Sequence, residues 1–321
     1  MSEIKKKLVT IVGGSGQYVL LSGIRDVASF DITAVVSMAD SGGSTGRLRD
    51  KYGVLPPGDI LKCILALSPY RDSAREILQK RFEKNQKLAK HSLGNMLLTM
   101  LSGYVDDFAE GVEALGDVLE IKGRVLPVTT DKATLVAELT DGSWLFGESA
   151  IDVPRGGQKE KIKRTLLVPH HSDSIKVYPE VLEKIKKADH IIFGPGDLYT
   201  SIIPNLLVEG IKEEISRSDA ELIYIANIMT KFGETEGFGA QDLIERLEDH
   251  LPRRFDKVIF NNSSPNEDIL QKYKEQKSSF IEPPQAGLKE RELIIDDILS
   301  VLGGVVRHDS QKLASLLKKA L

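Results

Sequence analysis

Residues 37–50 read SMADSGGSTGRLRD: an apolar run, Ile32 to Val36, ends in a carboxylate, Asp40, and glycines, hydroxyls and arginines follow at once. Gly42, Gly43 and Gly46 keep a backbone open to a ligand. Ser44 and Thr45 offer hydroxyl donors, and Arg47 and Arg49 can neutralise phosphate. A solvated turn rarely combines all three, so the stretch predicts a phosphate or pyrophosphate contact. Three further segments have the same character. Gly13-Gly14-Ser15-Gly16 can bring backbone N–H groups to a phosphate at a helix N-terminus. A complete dinucleotide fingerprint would carry a third glycine where Val19 stands, so a tight turn needing glycine for geometry alone is an equal reading. In GPGDLYTSIIPNL, Gly194 and Gly196 precede Tyr199, Thr200 and Ser201, which suit an anion or sugar site or an ordinary helix cap. Asn227, with Thr230 and Glu234 beyond it, ends the run LIYIAN, and Asn95 interrupts an apolar helical pattern.

Positioning these groups is a matter of the elements between them. Leu8 to Val12 and Ile32 to Val36 are short continuous apolar runs, as buried parallel strands require. Strand, glycine turn, helix and strand open a doubly wound α/β sheet, in which ligands bind beyond the carboxyl ends of the strands. GVLPPGDILKCILALS predicts a helix with an Asp cap, and SLGNMLLTMLSGYV and DFAEGVEALGDVLEI predict two more. From about Arg124 to Val168 the pattern turns to strands, with Asp141-Gly142 as a hairpin turn, which predicts a β-rich insert at about 124–168. The α/β alternation then returns: HIIF, ELIYIANIM and KVIFNN as strands, and SIIPNLLVEGIKEEIS, AQDLIERLEDHL and EDILQKYKEQ as helices. An amphipathic helix closes the chain. The reading is one elaborated domain over 1–321.

Bulk properties narrow the class. The 321 residues carry 41% hydrophobic and 28% charged residues and a formal net charge of −4, the balance of a soluble globular protein and not of a general nucleic-acid binder. No segment reads as a signal peptide or membrane span, and the single cysteine, Cys63, excludes an intrachain disulfide; a cytosolic protein is expected, without membrane insertion. HExxH, GxSxG and Walker A patterns are absent, and His170-His171 with Asp173 reads as a loop rather than a metal site. No nucleophile–base pair stands out, so catalytic residues are not assigned and binding comes first.

The segments IVGGSGQYVLLSGI, ADSGGSTGRLR, GVLPPGDILKCILAL, HSLGNMLL, GPGDLYTSIIPNLLVEGI, IANIMTKFGETEGF and VVRHDS, in this order over nearly the whole chain, resemble the YvcK branch of the CofD superfamily, the gluconeogenesis factors. The resemblance implies a Rossmann-like, mostly parallel sheet. It implies a UDP-sugar ligand such as UDP-N-acetylglucosamine, with a regulatory role in cell shape and envelope synthesis during gluconeogenic growth. It also implies that Tyr273 and Arg307 hold the uridine or sugar end, and that Ser310 stands where some relatives carry a phosphorylated threonine. A homodimer and contacts with cell-envelope synthesis proteins stay open. The other branch, CofD itself, is a magnesium-dependent transferase acting on a nucleotide-activated phospholactyl donor. Relatives commonly carry two adjacent acids after the second strand, whereas Asp40 is followed by Ser41, which weakens the case for magnesium; Asp197 stands where relatives often have serine. A NAD-type dinucleotide enzyme is the third reading, disfavoured by Val19.

Overall fold

The structure, a computed structural model, describes residues 5–42, 45, 46, 48, 54–82, 91–104, 107–152, 160–284 and 290–321. Twelve strands are described: β1 (Lys6–Val12), β2 (Phe30–Val36), β3 (Arg124–Pro127), β4 (Ala133–Leu139), β5 (Trp144–Phe146), β6 (Ile162–Pro169), β7 (His190–Phe193), β8 (Glu221–Ile225), β9 (Lys257–Asn261), β10 (Glu292–Asp296), β11 (Leu299–Leu302) and β12 (Val305–His308). Seven of them form the main sheet in the order β10-β9-β8-β7-β1-β2-β3, and every pairing in it is parallel. Each of the central strands β1, β7 and β8 has Val, Ile, Leu or Phe side chains that are fully buried, as the continuous apolar runs require. Helices cover the sheet. Gly14–Ile24 packs against Pro57–Leu67 and Ser310–Ala320, and its buried Gln17 amide donates to the Thr10 hydroxyl at 2.8 Å, so a polar side chain enters the core with a partner.

The doubly wound α/β class is as expected, with three differences of detail. Arg124–Pro127 is not part of the insert: it pairs with β2 and forms the edge of the main sheet. Only β5-β4-β6 make the separate antiparallel sheet, joined at the Asp141-Gly142 turn. The helix expected over SIIPNLLVEGIKEEIS is broken into a π-helical turn (Leu198–Ile202) and two helices, Ile203–Leu206 and Ile211–Arg217. The break has a cause. Glu209 leaves the helix to pair with the 175–177 segment, donating to Ile175 O at 2.8 Å and accepting from Val177 N at 3.1 Å. Finally, β10 and the β11–β12 hairpin were not signalled by strand-like alternation in the sequence. No helix among the described residues is long and apolar enough to cross a membrane.

Candidate functional site

β1 leads on to β2 on one side, while β7, its other neighbour, leads on to β8 on the opposite side. The strand order therefore reverses between β1 and β7, and the turns after them flank the crevice where doubly wound folds take their ligands. The turns approach so closely that no side chain fits. A Cβ on Gly16 would lie 1.8 Å from the Pro195 carbonyl oxygen, and one on Gly14 would lie 2.6 Å from Asp59 Cα. Geometry alone thus demands glycine at these two positions, whatever the ligand.

A first cleft, with a volume of about 280 Å³, opens on the β7–β8 side and is walled by Gly16, Gly196, Ser201, Asn227, Thr230, Lys231, Tyr273 and Arg307, among others. Its base is a hydrogen-bonded network. The Gly196 N–H donates to Asn227 Oδ1 at 3.0 Å, so Asn227 sets this turn and engages its amide proton. Glu234, 4% exposed, accepts from the Tyr199 N–H and the Thr200 hydroxyl, each at 3.3 Å. Lys231 donates to Asp152, to Asp197 at 2.6 Å and to Glu234 at 2.9 Å. Burial pulls the Lys231 ammonium downward, but Glu234, Asp197 and Asp152 outweigh it and hold its pKa above the ordinary lysine value. Burial pushes the Glu234 carboxyl upward against the pull of Lys231. On the far wall the Val306 N–H donates to the Tyr273 hydroxyl oxygen at 2.9 Å, leaving the phenolic proton to point elsewhere. Burial lowers the His308 pKa to about 4, so the ring is neutral near pH 7 and its Nε2–H donates to the Ala226 carbonyl at 3.0 Å. That bond pins β12, and with it Arg307, to the end of β8.

A second cleft, about 390 Å³, lies on the β2 side and is lined by Asp40, Gly42, Thr45, Lys62, Arg81 and Asn95, with others. The partition between the clefts is a side-chain pair: Lys62 Nζ donates to Ser15 Oγ at 3.0 Å and to Asp59 at 2.8 Å. Burial and then the Asp59 charge hold the Asp40 carboxyl above the usual carboxylate range, although it accepts the Gly42 N–H at 2.8 Å. Glu148, from the short helix Glu148–Asp152 that follows β5, is pushed up to about 7 by burial and then by Asp40 and Asp152. Magnesium is commonly held by one or two carboxylates together with substrate phosphates. Asp40 can serve as one such carboxylate, and Asp59, whose charge raises the Asp40 pKa, stands near it but is engaged with Lys62. The second acid thus comes not from position 41 but from the start of the Pro57–Leu67 helix.

Of the residues singled out by sequence, Gly16, Gly196, Ser201, Asn227, Thr230, Tyr273 and Arg307 meet in the first cleft, and Asp40, Gly42 and Asn95 in the second. Gly13, Gly14, Gly194, Tyr199 and Thr200 are buried behind these walls. Tyr199 is 1% exposed in an apolar setting beside Leu198 and Ile202, a core residue rather than a surface for a sugar. Gly43, Ser44, Arg47 and Arg49 lie outside the described residues. Ser310 is half-buried at the first position of the Ser310–Ala320 helix, where Asp309 is the cap. His170 contacts the Thr134 hydroxyl, away from either cleft. The sequence reading missed Asp59, Lys62, Glu148, Asp152 and Lys231. Asp59 is not the cap the sequence predicts: the N-cap is Pro56, and Asp59 spends its carboxylate on Lys62; an acid and a lysine three apart after Pro-Pro-Gly is the available signal. Glu148 and Asp152 carry none, since the insert brings them in from afar.

Fold and clefts together define a doubly wound α/β protein with its binding crevice at the switch point of the sheet. The family model described as 2-phospho-L-lactate transferase CofD matches residues 8–297. The chain is 40% identical to a putative gluconeogenesis factor of Thermotoga maritima over 98% of both chains, and 40% identical to the gluconeogenesis factor of Bacillus subtilis over 98% of this chain and 97% of that one. A crystal structure of a Bacillus halodurans protein superposes with a TM-score of 0.90 at 38% identity, covering 98% of this chain and 99% of that one. The chain therefore belongs to the gluconeogenesis factor (YvcK) branch of the CofD family.

Proposed function

We propose that this chain binds a UDP-sugar of the UDP-N-acetylglucosamine type in the first cleft, and acts as a cytoplasmic regulatory protein linking gluconeogenic growth to cell shape and envelope synthesis. One observation carries the reading. Tyr273 and Arg307, distant in sequence from the glycine turns, face the same cleft as those turns and the Asn227–Thr230 segment. Gly16 and Ser201 would lie on the diphosphate side, and Tyr273 and Arg307 at the uridine or sugar end. A metal-dependent transferase is the second reading, and it is favoured by Asp59, which gives Asp40 the neighbouring acid that Ser41 does not. Calorimetric titration of UDP-N-acetylglucosamine, with and without magnesium, decides between them. Saturable binding that ignores magnesium, with the ligand recovered intact, supports the regulator. Binding that needs magnesium, or release of UMP, supports the transferase, and Asp40→Asn would then abolish the magnesium effect. Absence of binding rejects the UDP-sugar.

A further inference from the structure

Three segments remote in sequence meet at one ammonium. Asp152 ends the helix contributed by the insert, Asp197 follows the Gly194–Gly196 turn, and Glu234 lies in the loop after β8; Lys231 Nζ contacts all three. Their carboxylate oxygens lie within 4.8 Å of one another, a spacing at which uncompensated like charges repel strongly. Oxygen ligands so gathered commonly surround a divalent cation. Here the cation is a lysine.

The backbone beneath that lysine is fixed on both sides. The Thr230 N–H donates to Ser279 O at 2.8 Å, the Lys231 N–H donates to the Thr235 hydroxyl at 2.9 Å, and the Thr235 N–H returns to Lys231 O at 2.9 Å. On the carboxylate side, Asp197 adjoins Gly196, whose N–H is already held by Asn227. Glu234 receives the Tyr199 N–H and the Thr200 hydroxyl. The segment from Gly194 to Ser201 is thus anchored to the loop after β8 at several points, and Lys231 balances the charge of two of the anchors. Through Asp152 the same ammonium fastens the insert's short helix, whose start touches the loop after β2: the Ser149 N–H donates to the Ser41 hydroxyl at 3.0 Å.

We infer that Lys231 is the positioning residue of the first cleft: its ammonium serves in place of a divalent cation, setting the Gly194–Ser201 turn and tying the insert to it. The structural half of this inference stands alone; the statement that the turn is set for phosphate rests on the UDP-sugar reading. A neutral residue at 231 leaves three carboxylates facing one another beside the cleft, so the turn and the insert helix separate and an anionic ligand is repelled. An added divalent cation has the charge and the oxygen ligands to reverse this.

The test compares Lys231→Ala and Lys231→Arg with the wild type by amide hydrogen exchange, with and without manganese chloride, alongside titration of UDP-N-acetylglucosamine. In Lys231→Ala, exchange over 147–152 and 194–201 is expected to rise at least tenfold, with β1 and β7 unchanged. Manganese restores that protection in Lys231→Ala and does nothing to these segments in the wild type, and Lys231→Arg keeps most of it. UDP-N-acetylglucosamine affinity falls at least tenfold in Lys231→Ala and recovers with manganese. Unchanged exchange in the two segments, equal loosening of β1 and β7, or indifference to manganese would each overturn the inference. If Lys231→Ala does not fold, Asp152→Asn decides: faster exchange confined to 147–152 supports the link, and unchanged exchange refutes it. A wild type that binds no UDP-N-acetylglucosamine fails the ligand reading alone, because the exchange measurements stand without it.

Discussion

The two clefts share one sheet edge and solve the problem of charge in different ways. At the base of the first, polar groups are fixed by one another: Asn227 by Gly196, Glu234 by Tyr199 and Thr200, and the acids around Lys231 by its ammonium. At the second, Asp40 in the lining and Glu148 near it are both held above their ordinary pKa, chiefly by burial and then by neighbouring carboxylates, and Lys62 is engaged with Asp59. A wall whose dipoles and charges are already paired costs little reorganisation when a ligand arrives. Asp40, whose charge burial and Asp59 both disfavour, gains by taking up a proton or a cation. The first cleft presents groups already paired with one another; the second presents, in Asp40, an acid whose charge its surroundings disfavour.

The sharpest way to break this comparison is at the crevice between the two. Gly16→Val puts a branched side chain where even a Cβ would stand 1.8 Å from the Pro195 carbonyl. Overpacking of this kind costs about 1–3 kcal/mol or more, and the displaced turn should abolish ligand binding in the first cleft. Chemical denaturation with calorimetry checks both; retained stability and affinity would show that the two turns can separate freely. Arg307→Ala comes next. Arg307 is exposed, so stability should hold while UDP-N-acetylglucosamine affinity falls by about 1–3 kcal/mol, the scale of one charge-assisted contact. Gln79→Ala, an exposed residue lining the second cleft, should leave that affinity unchanged. Equal losses in the two variants would mean that one ligand spans both clefts.

What the sequence showed, and what it hid, follows the same division. Strands β1, β2, β7, β8 and β9 were legible because full burial on both faces requires continuous apolar runs. The turns after β1 and β7 were legible because close approach restricts them to glycine. Arg124–Pro127 was misplaced, since a strand's composition does not say which sheet it joins. The strands within 292–308 carry little signal because their side chains are largely exposed or half-buried and lack the alternation that marks a strand. Lys231 and its acids were hidden for a deeper reason. Their meaning lies in convergence, and Asp152 reaches Lys231 from an insert that no local pattern connects to it. Tyr199 and Thr200 carry the opposite ambiguity, since hydroxyls after a glycine turn suit a ligand as well as they suit the core.

Thr200→Val tests that last distinction. Its hydroxyl donates to the buried Glu234, which keeps the Tyr199 N–H and Lys231 as partners. The loss should cost about 0.5–1.5 kcal/mol of stability and leave ligand affinity unchanged. A large drop in affinity at constant stability would instead return Thr200 to the cleft surface.

The smallest effect probes the acid that stands beside Asp40 of the second cleft. Glu148 is pushed up to about 7 in the folded protein from an ordinary value of 4.5, with burial as the leading cause and Asp40, Asp152 and Asp59 as the acids facing it. A carboxyl with a raised folded pKa favours folding relative to its ionised form: that advantage is whole below pH 4.5 and is lost as the pH rises through 7. Wild-type stability should therefore slope downward between those limits, and Glu148→Gln should flatten this part of the slope and be the more stable protein at pH 8. Because Glu148 is only half-buried, solvent screening keeps the gain to about 1 kcal/mol or less. Urea denaturation in chelator at several pH values reads the difference. A magnesium ion held by Asp40 would add positive charge near Glu148, so the wild type should approach the flatter profile of the variant when magnesium is added. If magnesium changes neither profile, the second cleft is neutralised by protons alone, and the metal-dependent reading loses the observation that favours it.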